Sequence, residues 1–195
     1  MKKSIIIVLF FAFTCCESLF AQKSFAIGAS VGTSEGKNAN VSDSFGIPTN
    51  INRTLVYYGL NLAYRTNTKV FGNAGIGLNI PITIGYGNGG IYFDGAAMAQ
   101  YQMGALSNSD NSDKKGYYFG AGLGIVHATW VPVVTGTHQI KNITANSITP
   151  VFEVGSRFRV GRAEYYTDIC FFYKLNSTPE AKHNILGFKA LYYIK

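Results

Sequence analysis

The feature that most constrains this chain is an alternation of side chains with a period of two, repeated along most of its length. In eight segments the residues on one face are mostly large and apolar, and those on the other face are mostly small or polar. The segments are residues 24–32, 56–65, 73–80, 91–102, 117–126, 151–160, 164–174 and 185–195. Because successive side chains of a strand point to opposite faces, the pattern predicts eight two-faced β-strands.

The second face of these segments indicates which side of the sheet is the interior. In 24–32, 73–80 and 117–126 it consists mostly of Gly, Ala, Ser and Asn, which fit a crowded interior better than a water-facing surface. Charged residues make up only 14% of the chain, against about 25% in soluble domains. Apolar-out, polar-in strands of about ten residues are typical of membrane barrels. We therefore predict an all-β fold, an eight-stranded antiparallel up-and-down transmembrane β-barrel.

The N-terminus has the pattern of an export signal. Lys2 and Lys3 precede a short apolar stretch, and the small residue Ala21 follows it. The apolar stretch is too short for a membrane helix but is typical of a signal peptide. We expect cleavage of residues 1–21, which leaves a single barrel domain over residues 22–195.

Aromatic residues of the apolar face lie near the ends of the segments, as in the aromatic belts of membrane barrels. With the N-terminus in the periplasm, one belt is predicted at Phe25, Tyr64, Tyr101, Tyr117, Phe158, Tyr165 and Tyr192. The other belt is predicted at Tyr58, Phe93, Phe152, Phe171, Tyr173 and Phe188.

The connections between segments predict long outer loops and mostly shorter turns. The outer connections are residues 33–53, 82–90, 131–147 and 176–184. The opposite end has a short turn at 66–69, a longer polar connection at 104–116 and a two-residue turn at Gly161-Arg162. This asymmetry is the one expected of outer-membrane barrels.

Charged residues of the inward face gather in the last three segments. A two-residue hairpin at Gly161-Arg162 places Arg159 opposite Glu164 and leaves Arg157 within diagonal reach of Asp168. We expect a lumen charge network of three acids and three bases, namely Glu153, Arg157, Arg159, Glu164, Asp168 and Lys189. Lys189 on the last segment points into the same lumen and could join Asp168. The balance matters because an unpaired buried charge costs several kcal/mol.

The rest of the predicted lumen is filled by large side chains. An eight-stranded barrel is only wide enough for its own side chains. We expect the interior to hold Tyr57, Tyr92, Met98, Tyr118, Tyr166 and Phe172. This filling predicts that the protein has no general porin activity.

The chain resembles the small eight-stranded outer-membrane barrels of Gram-negative bacteria, the OmpA/OmpX type. The resemblance is one of strand pattern and covers nearly all of residues 22–195. It implies an outer-membrane location, insertion by the barrel-assembly machinery, and a C-terminal strand at 186–195 that acts as the insertion signal. Members usually finish on an aromatic residue, whereas this chain ends Tyr193-Ile194-Lys195.

No pattern in the sequence predicts catalytic, cofactor-binding or metal-binding residues. There is no phosphate loop, no Gly-x-Ser-x-Gly elbow and no paired-Cys metal motif. His127-Ala128-Thr129 has the spacing of the His-x-Ser pair in outer-membrane lipid-A deacylases. Thr replaces Ser, however, and no acid on the lipid-facing side can orient the histidine as a triad requires. A polar residue in the interfacial belt accounts better for His127, and a lipid-A-modifying hydrolase is an alternative.

We therefore expect a monomeric, non-catalytic barrel without a cofactor, with a structural or surface-interaction role through loops 33–53 and 131–147. Its expected partners are outer-membrane lipids and lipopolysaccharide, since the excess of positive charge suits an anionic surface. Without a basic helix or run, nucleic acid is not an expected partner. The alternative from a different class is an exported soluble β-barrel that binds an apolar ligand.

Overall fold

A computed structural model describes residues 22–42, 48–87, 90–105, 113–130, 143–160, 165–177 and 181–194. They form eight strands: β1 Gln22–Ser42, β2 Pro48–Phe71, β3 Ala74–Gly87, β4 Gly90–Gly104, β5 Lys115–Trp130, β6 Ile143–Val160, β7 Tyr165–Ser177 and β8 Ala181–Ile194. Each strand pairs antiparallel with the next, and β8 pairs with β1, so the sheet closes into a barrel. The predicted eight-stranded up-and-down barrel is confirmed. The predicted signal peptide at residues 1–21 lies outside the described residues.

The two faces of the wall have opposite character, as the alternation predicts. On the outside, Leu60 is 72% exposed and Tyr58 is 67% exposed. Their neighbours Asn61 and Arg65 point inward and are fully buried. Exposed and buried side chains alternate in the same way along the other strands, because successive side chains of a pleated strand point to opposite faces. No helix in the described part of the chain is long and apolar enough to cross a membrane.

Outward aromatic rings pair across neighbouring strands near both ends of the wall. We call the end where β1 begins the proximal end, and the opposite end the distal end. At the proximal end the ring centroids of Phe25 and Tyr64 are 5.0 Å apart. Towards the distal end, Phe171 and Phe188 meet edge to face at 5.5 Å. The predicted belts therefore occupy the outward face at two levels.

The strands are longer than predicted, and β3 shows the difference best. The predicted outer loop at 82–90 is a continuation of β3 to Gly87, and only residues 88–89 separate it from β4. Proline at position 81 favours the end of a strand because it has no N–H to donate. Here Pro81 pairs with Ala63 of β2, and the ladder towards β4 is interrupted at positions 80–81 instead.

The predicted contrast between long outer loops and short turns is wrong. β1 runs to Ser42 and β2 begins at Pro48, so most of the 33–53 loop is paired strand. β6 begins at Ile143, and part of the 131–147 loop is therefore strand as well. At the proximal end, β4 ends at Gly104 and β5 begins only at Lys115.

The strands do not all reach the same height at the distal end. Pairing of β2 with β3 begins at Tyr58 and Tyr86, whereas β2 and β1 stay paired as far as Pro48 and Ser42. Nine to eleven residues suffice for a strand to cross a membrane, and β1 and β2 have 21 and 24. The β1–β2 hairpin therefore extends well beyond the β3–β4 hairpin.

The register of β6 and β7 differs by two residues from the predicted hairpin. β6 ends at Val160 and β7 begins at Tyr165, so residues 161–164 connect them. Arg159 pairs with Tyr166 and not with Glu164, and Arg157 pairs directly with Asp168. Because the shift is even, each side chain keeps its face. Glu164 and the turn lie outside the described residues.

Candidate functional site

Among the described residues, buried charge is concentrated in the lumen, and we take the lumen as the candidate site. Seven charged side chains point into it and are at most 2% exposed: Arg65, Asp94, Glu153, Arg157, Asp168, Lys174 and Lys189. They lie in three tiers along the barrel axis, which we call the proximal, middle and distal tiers. Each tier contains at least one ion pair, as buried charges require.

The proximal tier is built around the carboxylate of Asp168 on β7. Arg157 of β6 donates to it twice, from Nε at 2.6 Å and from NH2 at 2.9 Å. Arg65 of β2 crosses the lumen and donates from NH2 at 3.2 Å. One carboxylate is thus shared by two guanidinium groups, and a paired fork of this kind fixes geometry as well as charge.

Two tyrosine rings and one glutamine amide contact the guanidinium groups that share this carboxylate. The guanidinium of Arg65 lies 4.9 Å from the ring centroid of Tyr118 and 4.5 Å from that of Tyr193. The guanidinium of Arg157 lies 5.3 and 5.2 Å from the same two rings. These distances are within the range of cation–π attraction. Arg157 NH1 also donates to Gln102 Oε1 at 3.1 Å, which ties the tier to β4.

The middle tier is a single ion pair. Lys189 Nζ of β8 donates to Glu153 Oε2 of β6 at 3.4 Å. The same ammonium group lies 4.7 Å from the ring centroid of Phe172. Lys189 therefore does not join Asp168: it lies opposite Cys170 in the register and pairs with Glu153 of its own tier.

The distal tier joins an ion pair to a stack of tyrosines. Lys174 Nζ of β7 contacts the carboxylate of Asp94 on β4, and it donates to Tyr92 Oη at 3.0 Å. The ring of Tyr92 stacks on that of Tyr57 with centroids 4.0 Å apart and an interplanar angle of 15°. Phe172 completes the layer, with its ring centroid 5.0 Å from Lys174 Nζ.

Large side chains occupy the lumen at these levels. The six large residues that were predicted to occupy it are at most 4% exposed: Tyr57, Tyr92, Met98, Tyr118, Tyr166 and Phe172. Water therefore reaches almost none of their surface. This agrees with the width expected of an eight-stranded barrel.

The predicted charge network and the observed one overlap in part. Glu153, Arg157, Asp168 and Lys189 are buried and ion-paired. Arg159 lies half-buried near the proximal end, and the position of Glu164 is outside the described residues.

Sequence reasoning missed three members of the network, namely Arg65, Asp94 and Lys174. Each of the three occupies a position on the inward face of the alternating pattern, and this position is the sequence feature from which its place in the lumen could have been predicted. The expectation that lumen charges gather in the last three strands is wrong for Arg65 on β2 and for Asp94 on β4. Among the described side chains buried in the lumen, four are cations and three are carboxylates. The predicted balance of charge includes Glu164, which lies outside the described residues, and it stays a prediction.

His127 has a partner that was not foreseen. It lies on the outward side of β5 opposite Asn146 of β6, and its Nδ1 is 2.5 Å from Asn146 Oδ1. Asn146 was expected in a loop, so no orienting group was predicted. The partner is an amide and not the acid of a triad, and the side chain of Thr129 lies outside the described residues. Within the described ranges, no three His, Cys, Asp or Glu side chains could hold a metal ion together.

No protein-family model and no curated protein sequence matches this chain. Among solved structures, it is similar to Neisserial surface protein A, at 15% identity and a TM-score of 0.48, over 88% of this chain and 96% of that one. It is similar to the N-terminal β-barrel domain of Pseudomonas aeruginosa OprF, at 10% identity and 0.47, over 89% and 100%. It is also similar to Ail, the attachment invasion locus protein of Yersinia pestis, at 14% identity and 0.45, over 87% and 98%. The fold assignment rests on the strand register described above.

Proposed function

We propose that this chain is an outer-membrane β-barrel with a structural or surface-interaction role and without catalysis. The observation that supports this best is the reversed polarity of the wall. Many outward apolar side chains are highly exposed, for example Leu60 at 72%, Phe171 at 60% and Ile84 at 59%. The side chains that point into the lumen, in contrast, form ion pairs. A continuous apolar band of this kind is unfavourable in water and favourable in lipid.

The soluble alternative fits the lumen poorly. A barrel that binds an apolar ligand needs an apolar cavity with a few polar groups. Here the described part of the interior carries seven buried charges, and it also holds the large buried side chains of Tyr57, Met98 and Phe172. The same filling supports the proposal that the protein is not a general porin.

The proposed interaction surface is the distal end. The β1–β2 hairpin projects past β3–β4, and β5 stays paired with β6 as far as Trp130 and Ile143. Long paired hairpins present backbone and side chains away from the membrane, where contacts with other molecules are made. We propose that the regions around 33–53 and 131–147 carry these contacts.

The other proposed partners are those expected of a barrel in the outer membrane. Lipids and lipopolysaccharide of the outer membrane would surround the apolar band, and the aromatic belts would lie at the headgroups. The barrel-assembly machinery would insert the chain after cleavage of the signal at residues 1–21. A wall closed by β1 and β8 has no open edge at its centre, which favours a monomer.

Fractionation of cells that express the full chain tests this proposal. We expect the protein in the outer-membrane fraction, with a mature N-terminus at Gln22. Its mobility on a gel should shift between unboiled and boiled samples, because a closed barrel resists detergent until it is heated. Recovery from the soluble periplasmic fraction, without a heat-dependent shift, would refute the membrane assignment. The matched control is the same chain with Leu60→Arg, which should insert less efficiently.

A further inference from the structure

The proximal tier contains buried hydrogen-bond donors that have no acceptor among the described residues. Asp168 accepts three bonds, and Arg157 is satisfied by Asp168, Gln102 and Ala105. Arg65 is fully buried, yet its Nε and NH1 have no acceptor among the described residues. A buried guanidinium with two unsatisfied N–H groups is costly, because these groups lose water without replacement.

Neighbouring strands bring further donors to the same level. Arg65 pairs in register with Asn79 of β3, which is fully buried and in which both the donor Nδ2 and the acceptor Oδ1 are unpartnered. Gln100 of β4, diagonal to Asn79, has an unpartnered Nε2. The hydroxyl group of Tyr193, whose ring packs against Arg65, also finds no partner among the described side chains. These groups come from four strands and can all donate a hydrogen bond.

The net charge of the proximal tier also indicates that a partner is needed there. Two guanidinium groups face the single carboxylate of Asp168, which leaves one positive charge in excess. The lumen as described also has one cation more than it has carboxylates. Water can satisfy donors but cannot neutralise a charge. A small anion does both.

We propose that the proximal tier binds one small monovalent inorganic anion, such as chloride, at Arg65. Nε and NH1 of Arg65 supply the charge-assisted bonds, and Asn79, Gln100 and Tyr193 supply neutral donors around it. The anion neutralises the guanidinium that Asp168 cannot fully compensate. Since the side chains of Arg65, Asn79 and Tyr193 are inaccessible to solvent, the anion is captured as the barrel folds.

Unfolding in two salts tests the proposal. The barrel is refolded in detergent in sodium chloride or in sodium gluconate of equal ionic strength, and urea unfolding is measured in the same salt. Gluconate is too large for the filled lumen. Above the dissociation constant, each ten-fold rise in chloride should raise the folding equilibrium constant of the wild type about ten-fold. Arg65→Gln should lose this dependence, whereas Lys174→Gln, which changes a cation of the distal tier, should keep it.

Two results would overturn the proposal. One is a chloride dependence that is absent from the wild type or equal in Arg65→Gln, since general salt effects do not depend on that residue. The other comes from crystals of wild-type protein refolded in bromide, which need no variant to fold. We expect one anomalous bromide peak within hydrogen-bonding distance of Arg65 Nε or NH1. Ordered water at this position, without an anomalous peak, would show hydration and no anion site.

Discussion

Removal of the shared carboxylate should destabilise the barrel more than removal of either arginine that binds it. Asp168→Ala leaves Arg65 and Arg157 buried side by side, and loss of one partner from a buried ion pair costs about 3–5 kcal/mol. Arg157→Ala leaves the carboxylate paired with Arg65 at 3.2 Å, so its cost should be near the lower end, about 3 kcal/mol. In the double variant, Arg65 is the one remaining member of the trio and has lost its carboxylate partner. We expect it to lose about 5 kcal/mol at most, well below the sum of the single losses.

Urea unfolding in detergent micelles at neutral pH, followed by circular dichroism and by the mobility of the folded band, measures these losses. The control pair is Asp168→Ala with Lys174→Ala. Lys174 lies on the same strand, about 20 Å away at ~3.3 Å per residue, and has its own partner in Asp94. That pair should be additive within about 0.5 kcal/mol. Additive losses for Asp168 and Arg157, or a larger loss for Arg157→Ala alone, would refute the shared-carboxylate account.

Three further predictions concern the lumen and the wall. In planar bilayers the purified protein should show no stable large conductance, and single-channel steps of porin size would contradict the filled lumen. Gly155→Val should lower the free energy of unfolding by about 1–3 kcal/mol, because a Cβ at this position would lie against the ring of Tyr118. Gly95→Val is its control, since a Cβ there meets only a carbonyl oxygen at 4.0 Å, and an equal loss in both would refute the packing argument. Leu60→Arg places a charge on the lipid face and should cost about 2–4 kcal/mol in vesicle-refolded protein; an unchanged unfolding midpoint would show that this face is not in lipid.

The faces of the strands were predictable because they depend on parity alone. Leu60 and Leu62 differ from Asn61 only by one step along β2, and one step reverses the face. The sequence therefore separates outward apolar residues from inward polar ones without knowledge of any pairing. The number of strands and the filling of the lumen follow from the same pattern, and the described structure agrees with them.

The partners of the lumen charges were not predictable in the same way. The register between neighbouring strands decides which cation meets which carboxylate. The residue types at 161–164 do not indicate how many residues connect β6 to β7. A shift of two residues moves Arg157 from Tyr166 to Asp168 while every face stays the same. Contacts across the lumen, such as Arg65 with Asp168, join residues that no local pattern relates.

The pairing of β1 with β8 has a consequence for how the chain is assembled. Phe25 pairs with Ile194, so the strand that is synthesised first completes its pairing with the strand that is synthesised last. Until then β1 and β7 each present an open edge, which invites pairing with other chains and is unfavourable in lipid. Such distant pairing is also slow to form. We expect the partly folded barrel to need an assembly factor that covers both open strand edges, and the closed barrel to be stable without it.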